Sequence, residues 1–529
     1  MLYNNVCRMK LIIVLIFCIS LIGFFSYSNY CRAQENGGTL LVIRSTDSSF
    51  LDMAFSAVTE DRDVAGNIFE TLVSYDENCN IVPGLATSWE SSDGKTWIFH
   101  LRKNVKFHDG TPFNADAVVV SFTRQNENSP YYYYPGRISS FDMYLGDVIK
   151  SVEAIDSETV KIVLNFPFVP AVTYLGHSST IIVSPTALKK YKEKFFQHPV
   201  GTGPFIFKEW AKDDHITLEA NKNYWGKAPY LDQLIFKVIP STSSRFLEMQ
   251  KGTICMTQEL MPEQIELIEM GKYPNLKLIR KAAVGVGWLA INQQEKPFDN
   301  LLVRQAINYA IDKNAITEKI MGGQVSPAKN AIPPWMAESN EEVPGYPYNP
   351  EKAKELLQEA GYPDGFTTEL WTFAFARNYM PNATLVAQKI QSDLAKVGID
   401  VKISVFESAI YWELVNTLRH KLCLAGTPGT PPTADWLIRI TMLTQGKTGY
   451  EETPQGKELM KKAVEASQVL DREESIRMYK EMQQTLYENA SIVPICHPNN
   501  TWLFNEKIHN LKLPITGQIY QLNDVWIEK

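Results

Sequence analysis

The chain has 529 residues, 45% hydrophobic and 21% charged, an ordinary globular composition in a chain too long for one core, so two or three domains are expected. Its formal net charge is −7, which excludes the usual nucleic-acid binder, a basic protein. Arg8 and Lys10 precede an apolar run from Leu11 to Phe25, and Cys31 and Ala33 put small residues three and one positions before a cut. Residues 1–33 therefore read as a secretory signal peptide. A retained membrane anchor is the competing reading, but the run is shorter than the about 20 residues that a spanning helix needs. A lipoprotein signal fits less well, because Phe17 precedes Cys18 and Tyr30 precedes Cys31. Removing the segment takes away Arg8, Lys10 and Arg32 and no acid, so the mature chain is more acidic still. Cys79, Cys255, Cys423 and Cys496 remain, far apart and without CxxC spacing. That leaves one or two disulfides or none open, and gives no metal-binding pattern.

After a leader at 35–38, Thr39–Arg44 predicts a first strand, residues 52–60 a loop and Val64–Leu72 a short helix. Asp93-Gly94 between Thr87-Ser88-Trp89 and the alternating Trp97, Phe99 and Leu101 predicts a hairpin over 85–101. Ala115–Arg124 reads as helix, Tyr131–Tyr134 as a packed surface loop and Thr159–Leu164, with Val160, Ile162 and Leu164 alternating, as a strand. His198 to Phe205 is a tight glycine-rich turn into a strand-rich region that ends near Pro240, followed by a short helix over Ser243–Lys251.

The segment 281–316 organises the second half of the chain. Ala283–Asn292, with Gly285, Gly287 and Trp288, reads as a short buried strand. Asp299 is the expected N-cap of a helix whose stripe is Val303, Ala306, Ile307, Ala310 and Ile311. Asn349-Pro350 starts another helix, which Gly361 ends. Thr368–Ala374, Asp400–Val405 and Leu422–Ala425 read as strands, Ala383–Val397 as an amphipathic helix and 426–433 as loop. Asp471 to Glu474 has a capping-box pattern, Ile492–Ile495 is a last core strand, and 500–529 read as strands returning to the first lobe. The order implies α/β or mixed α+β lobes with more than one chain crossing.

Catalytic patterns are missing. Gly285-x-Gly287-x-x-Ala290 has the spacing of a dinucleotide turn, but its glycines lie inside the strand and no helix follows directly. Gly446-Lys447-Thr448 lacks the earlier glycine of a P-loop, because Thr441 stands there. There is neither H-E-x-x-H nor G-x-S-x-G. His100, His108 and His497 read as structural.

Five segments in order, GTPFNADAVVVSFTR (110–124), HPVGTGPF (198–205), NKNYWGKAPYLDQLIF (221–236), VGWLAINQQEKPFDNLLVRQAINYAIDKNAI (286–316) and NPEKAKELLQEAGYPDGF (349–366), resemble the family 5 extracellular solute-binding proteins of ABC importers. These include dipeptide- and oligopeptide-binding proteins and their nickel- and haem-binding relatives. Residues 371–403 look most like the dipeptide branch. The resemblance implies a monomeric two-lobed clamp of three domains: domain I from 39–70, 203–287 and 499–529, domain II from 71–202, and domain III from 288–498. Gly285 and Gly287 sit at the implied hinge, although close strand packing is an equal use for such glycines.

The resemblance also implies the site. Arg377 matches the family's arginine for a peptide carboxylate, a role that suits a guanidinium fork. Thr430 stands where the family has an aspartate for the peptide ammonium. Asp435 matches a more structural acid of that loop. Ser408 and Thr427 replace two pocket tryptophans. Ser56, Ala57 and Val58 match a strip that pairs with the ligand backbone. With the aspartate missing, either Asp435, Asp47 or Glu60 supplies the counter-charge or the ligand has no free amine, since an unpaired buried ammonium is costly. The expected function is capture of a peptide or carboxylate-bearing solute in the periplasm and delivery to a permease driven by ATPase subunits, with no bond made or broken and no cofactor. A nickel-chelate or haem binder, a secreted hydrolase and a sensor without transport are the rivals.

Overall fold

The computed structural model describes residues 36–529 except Ala57, Tyr132, Ile138, Glu259, Ala376 and residues 513–520. The signal-peptide reading of 1–33 thus falls outside the described residues. The expected mixed α/β architecture is present. Among the described residues one twelve-stranded sheet runs in the order Ile399–Phe406, Phe366–Phe373, Leu422–Thr427, Val286–Ile291, Ile492–Asn505, Cys255–Thr257, Thr39–Arg44, Gln233–Val238, His215–Ala220 and Phe205–Ala211. Leu276–Ala282 and Val325–Pro327 pair with Ile492–Asn505 off that path.

Ile492–Asn505 joins the two halves of this sheet. Its first part pairs with Val286–Ile291, with Gly287 opposite Cys496. Its second part pairs with Leu276–Ala282, with Ala282 opposite Asn499. Two antiparallel chain segments therefore pass together from one half to the other, at 283–286 and near Pro498, where the Ala283 N–H donates to the Pro498 carbonyl at 2.9 Å.

Three large apolar cores accompany the sheet. One gathers Trp288, Ile307, Leu357, Val386, Leu424 and Val493. A second gathers Leu40, Ile68, Phe205, Phe236 and Trp502. The third, with Phe99, Val118, Val160 and Ile162, underlies an antiparallel sheet ordered Ala86–Glu90, Thr96–Leu101, Thr159–Leu164, Ile149–Asp156.

Local chemistry explains most boundaries. The 85–101 hairpin turns at Asp93, whose Oδ1 accepts from the N–H groups of Lys95 and Thr96. Thr159–Leu164 has the alternating burial its sequence predicts. Val286–Ile291 is buried on both faces, so it reads as a continuous apolar run without alternation. Asn349 caps Pro350–Glu359 and Asp471 caps Arg472–Asn489 through side-chain oxygens.

Three expectations need correction. The cap of Leu301–Ala310 is Asn300, whose Oδ1 accepts from the Leu302 N–H, and not Asp299. The first helix is Thr59–Ile68 rather than Val64–Leu72, with Glu60 and Asp61 in its first turn, where they complement the helix dipole. The last core strand extends from Ile492 to Asn505, because Leu276–Ala282 on one side and Cys255–Thr257 on the other bury its second part. Cys79, Cys255, Cys423 and Cys496 are free.

Candidate functional site

At the crossing, backbone packs on backbone. Gly285 has φ +133°, and a Cβ there would strike the Thr427 carbonyl oxygen. A Cβ on Gly287 would meet the Tyr379 carbonyl oxygen, and one on Gly426 the Tyr379 ring. These glycines are required by close approach. The loop after Phe366–Phe373 is thereby anchored on the crossing strands. The buried Cys496 thiol also donates to the Tyr379 carbonyl at 3.1 Å. Burial holds that thiol up at about 12.

Arg377 lies in this anchored loop. Its backbone pairs with Met380 in both directions, at 3.3 and 2.9 Å. Its exposed side chain places Cζ 4.8 Å from the Phe375 ring centroid. Among the described residues no carboxylate or hydrogen-bond acceptor engages the guanidinium. A fork fixed at its base and unpaired at its head can take a carboxylate with two parallel hydrogen bonds.

The neighbouring loop is filled. The Thr427 hydroxyl accepts from the Gly429 N–H at 3.2 Å and from Trp436 Nε1 at 3.3 Å. Thr430 is buried. Asp435 is buried too, and Arg439 grips both its oxygens, with Nε–Oδ1 at 2.6 Å and Nη2–Oδ2 at 2.8 Å. The Tyr174 hydroxyl donates to Oδ2 at 3.1 Å. Burial, and then the Asp435 charge, push the Tyr174 phenol well above its ordinary range.

Asp47 is similarly occupied, accepting from Trp210 Nε1, the Asp213 N–H, Arg44 and the Ser48 N–H. Of the three acids considered for a ligand amine, Glu60 alone has a carboxylate without a hydrogen-bond partner among the described residues. Ser408 opens the helix Ser408–Val415, and its side chain lies outside what the structure describes.

Ser56 and Val58 have extended backbone, Ser56 Oγ donates to Asp61 Oδ2 at 2.5 Å and Val58 is exposed. Ala57 lies outside the described residues. The Tyr144 ring packs 4.2 Å from His177 and 5.2 Å from Trp436, centroid to centroid. His177 Nδ1 accepts from the Ser179 N–H at 3.1 Å. Burial, and then the nearby Arg62 charge, lower this imidazole to about 3, so it is neutral.

Arg62, Tyr144, His177, Tyr174 and Trp436 were not singled out from the sequence. Trp436 follows Asp435 directly, which was the one available signal. Among the described residues no three His, Cys, Asp or Glu side chains are grouped to hold a metal. No described helix is long and apolar enough to cross a membrane.

A sheet in two halves, crossed twice by the chain, with a free guanidinium beside the crossing, defines a two-lobed binding protein. Residues 80–449 match the model of the bacterial extracellular solute-binding proteins, family 5, and the chain belongs to that family. Among similar proteins, heme-binding protein A of Haemophilus influenzae is 36% identical over 449 residues, 81% of each chain. The dipeptide-binding protein of Escherichia coli is 35% identical over 434 residues, 79% of this chain and 81% of its own. The periplasmic binding protein DppA of Helicobacter pylori, solved with the peptide STSA, superposes with a TM-score of 0.76 at 32% identity, covering 94% of this chain and 99% of its own.

Proposed function

We propose that this chain closes its two lobes on a peptide or related solute bearing a free carboxylate, and hands it to an ABC permease powered by ATPase subunits. Arg377 carries the reading, as an unpaired guanidinium on a loop anchored at the crossing. In this reading Arg377 holds the carboxylate, Ser56–Val58 pairs with the ligand backbone, and Thr427 and Ser408 border the pocket. Gly285 and Gly287 mark the hinge between domain III at 288–498 and the lobe of domains I and II. The three cores and the single sheet junction support that division. The protein works outside the cytoplasm after cleavage near Ala33, as a monomer that leaves its cargo intact.

Thr430 is buried and not acidic, and Asp435 is held by Arg439, so neither meets a ligand ammonium. In this reading a free carboxylate is the required feature; a free amine, for which Glu60 alone of the three acids keeps an unpaired carboxylate among the described residues, is not required. Titration calorimetry with a free tetrapeptide, its C-terminal amide and its N-acetyl form tests this. Amidation is expected to abolish binding and acetylation to spare it; equal binding of the amide overturns the reading. The name of the Haemophilus relative favours haem as a second ligand. A porphyrin absorption band in the purified protein decides for it.

A further inference from the structure

Several contacts join residues 94–174 to residues 435–470, across the two cores that the hinge would separate. The Tyr174 hydroxyl donates to Asp435 Oδ2 at 3.1 Å, and the Val169 N–H donates to the Ser467 carbonyl at 2.9 Å. Arg439 Cζ stands 5.7 Å from the centroid of the Phe168 ring. Trp436 packs against both cores and touches Tyr144. None of these contacts uses Arg377.

The partners behave differently when the lobes part. Asp435 and Arg439 lie four residues apart on one helix and keep their bidentate pair in any lobe arrangement. Tyr174 and Asp435 lie in different cores, so their bond exists only while the lobes are together. Arg439 thus holds the carboxylate ready, and the phenol senses the closed state.

We propose that Tyr174, Asp435 and Arg439 form a closure latch, a set of positioning residues that fixes the population of the closed lobe arrangement independently of what is bound. The inference rests on the closure reading above, but not on the choice of a carboxylate ligand. A binding-competent state populated at a given fraction scales every apparent affinity by that fraction. The latch therefore sets overall affinity, and Arg377 sets selectivity.

The test uses the ligand-free mature chain, with dyes on Ile155→Cys and Glu458→Cys, read by single-molecule energy transfer. The wild type is expected to sample a compact, short-distance population. Tyr174→Phe should lower the ratio of compact to extended forms about ten-fold, the effect of one hydrogen bond to a charged group. Its thermal midpoint should stay close to wild type. Cross-linking Val169→Cys to Ser467→Cys in the Tyr174→Phe chain should restore the compact population. A wild type without a compact population, or a Tyr174→Phe chain with the wild-type ratio, overturns the latch. Neither result depends on what amidated peptides do, so failure of the latch and failure of the carboxylate reading are separable.

Discussion

His497 Nδ1 donates to the carbonyl oxygen of Gly285 at 2.8 Å, tying together the two segments that cross between the lobes. The imidazole is buried, and burial lowers it to about 4. It is therefore neutral in the folded chain and protonates near 6.5 once unfolded. The unfolded state binds more protons between those values, so stability is full above pH 6.5 and falls as pH drops toward 4. His420, also lowered to about 4 by burial, acts in the same sense. From pH 7.5 to pH 5, His497 is expected to contribute a loss on the order of 2 kcal/mol. Urea unfolding of wild type and His497→Gln at both pH values checks this. The variant should start less stable but lose less on acidification; parallel losses would remove His497 from the account.

Gly285 and Gly271 both have positive φ, but a Cβ meets backbone at Gly285 and open space at Gly271. Gly271→Ala should cost about 1 kcal/mol, the penalty of a left-handed alanine. Gly285→Ala adds a clash with the Thr427 carbonyl and should cost about 3 kcal/mol. Equal thermal midpoints for the two variants would mean that the crossing yields freely.

What could be read from the sequence was what short-range chemistry dictates. Asn349-Pro350, the Asp93-Gly94 turn and the alternation of Thr159–Leu164 carry their own signals and match the observed elements. The continuity of Ile492–Asn505 did not: Ile492–Ile495 and the residues from 500 on read as separate strands, and they join through Pro498 and Asn499 only when partners from residues 276–282 and 325–327 are in place. In the site, Arg377 is reached from the sequence only through the likeness of residues 371–403 to the dipeptide branch, not through a pattern of its own. Tyr174 and Asp435 meet across 261 positions, which no periodicity reveals.

Arg377 separates binding from folding. Its side chain is exposed and unpaired among the described residues, so Arg377→Ala should shift stability by no more than about 0.5 kcal/mol. The same variant should weaken a free-carboxylate peptide at least about ten-fold, as expected for a lost charge-assisted pair. Arg377→Lys keeps the charge but not the fork, and should recover only part of the affinity. Calorimetry beside a thermal melt reads both quantities. Unchanged affinity in Arg377→Ala would remove it from the site.

Arg124 and Asp52 form a fully buried pair, with Nη1–Oδ2 at 2.6 Å and Nη2–Oδ1 at 2.7 Å. The pair links the helix Ala115–Thr123, through its C-cap Arg124, to the cap of Met53–Phe55 and so joins two cores. Desolvation opposes such a pair, but removing one member strands a buried charge. Arg124→Met should therefore destabilise the protein by about 3–5 kcal/mol, whereas Arg124→Met with Asp52→Leu should recover most of that loss. Urea midpoints of wild type and the single and double variants complete the cycle. A double variant as unstable as Arg124→Met would mean that the loss comes from shape and packing around Phe55, whose ring lies 5.5 Å from Arg124 Cζ, and not from the stranded charge.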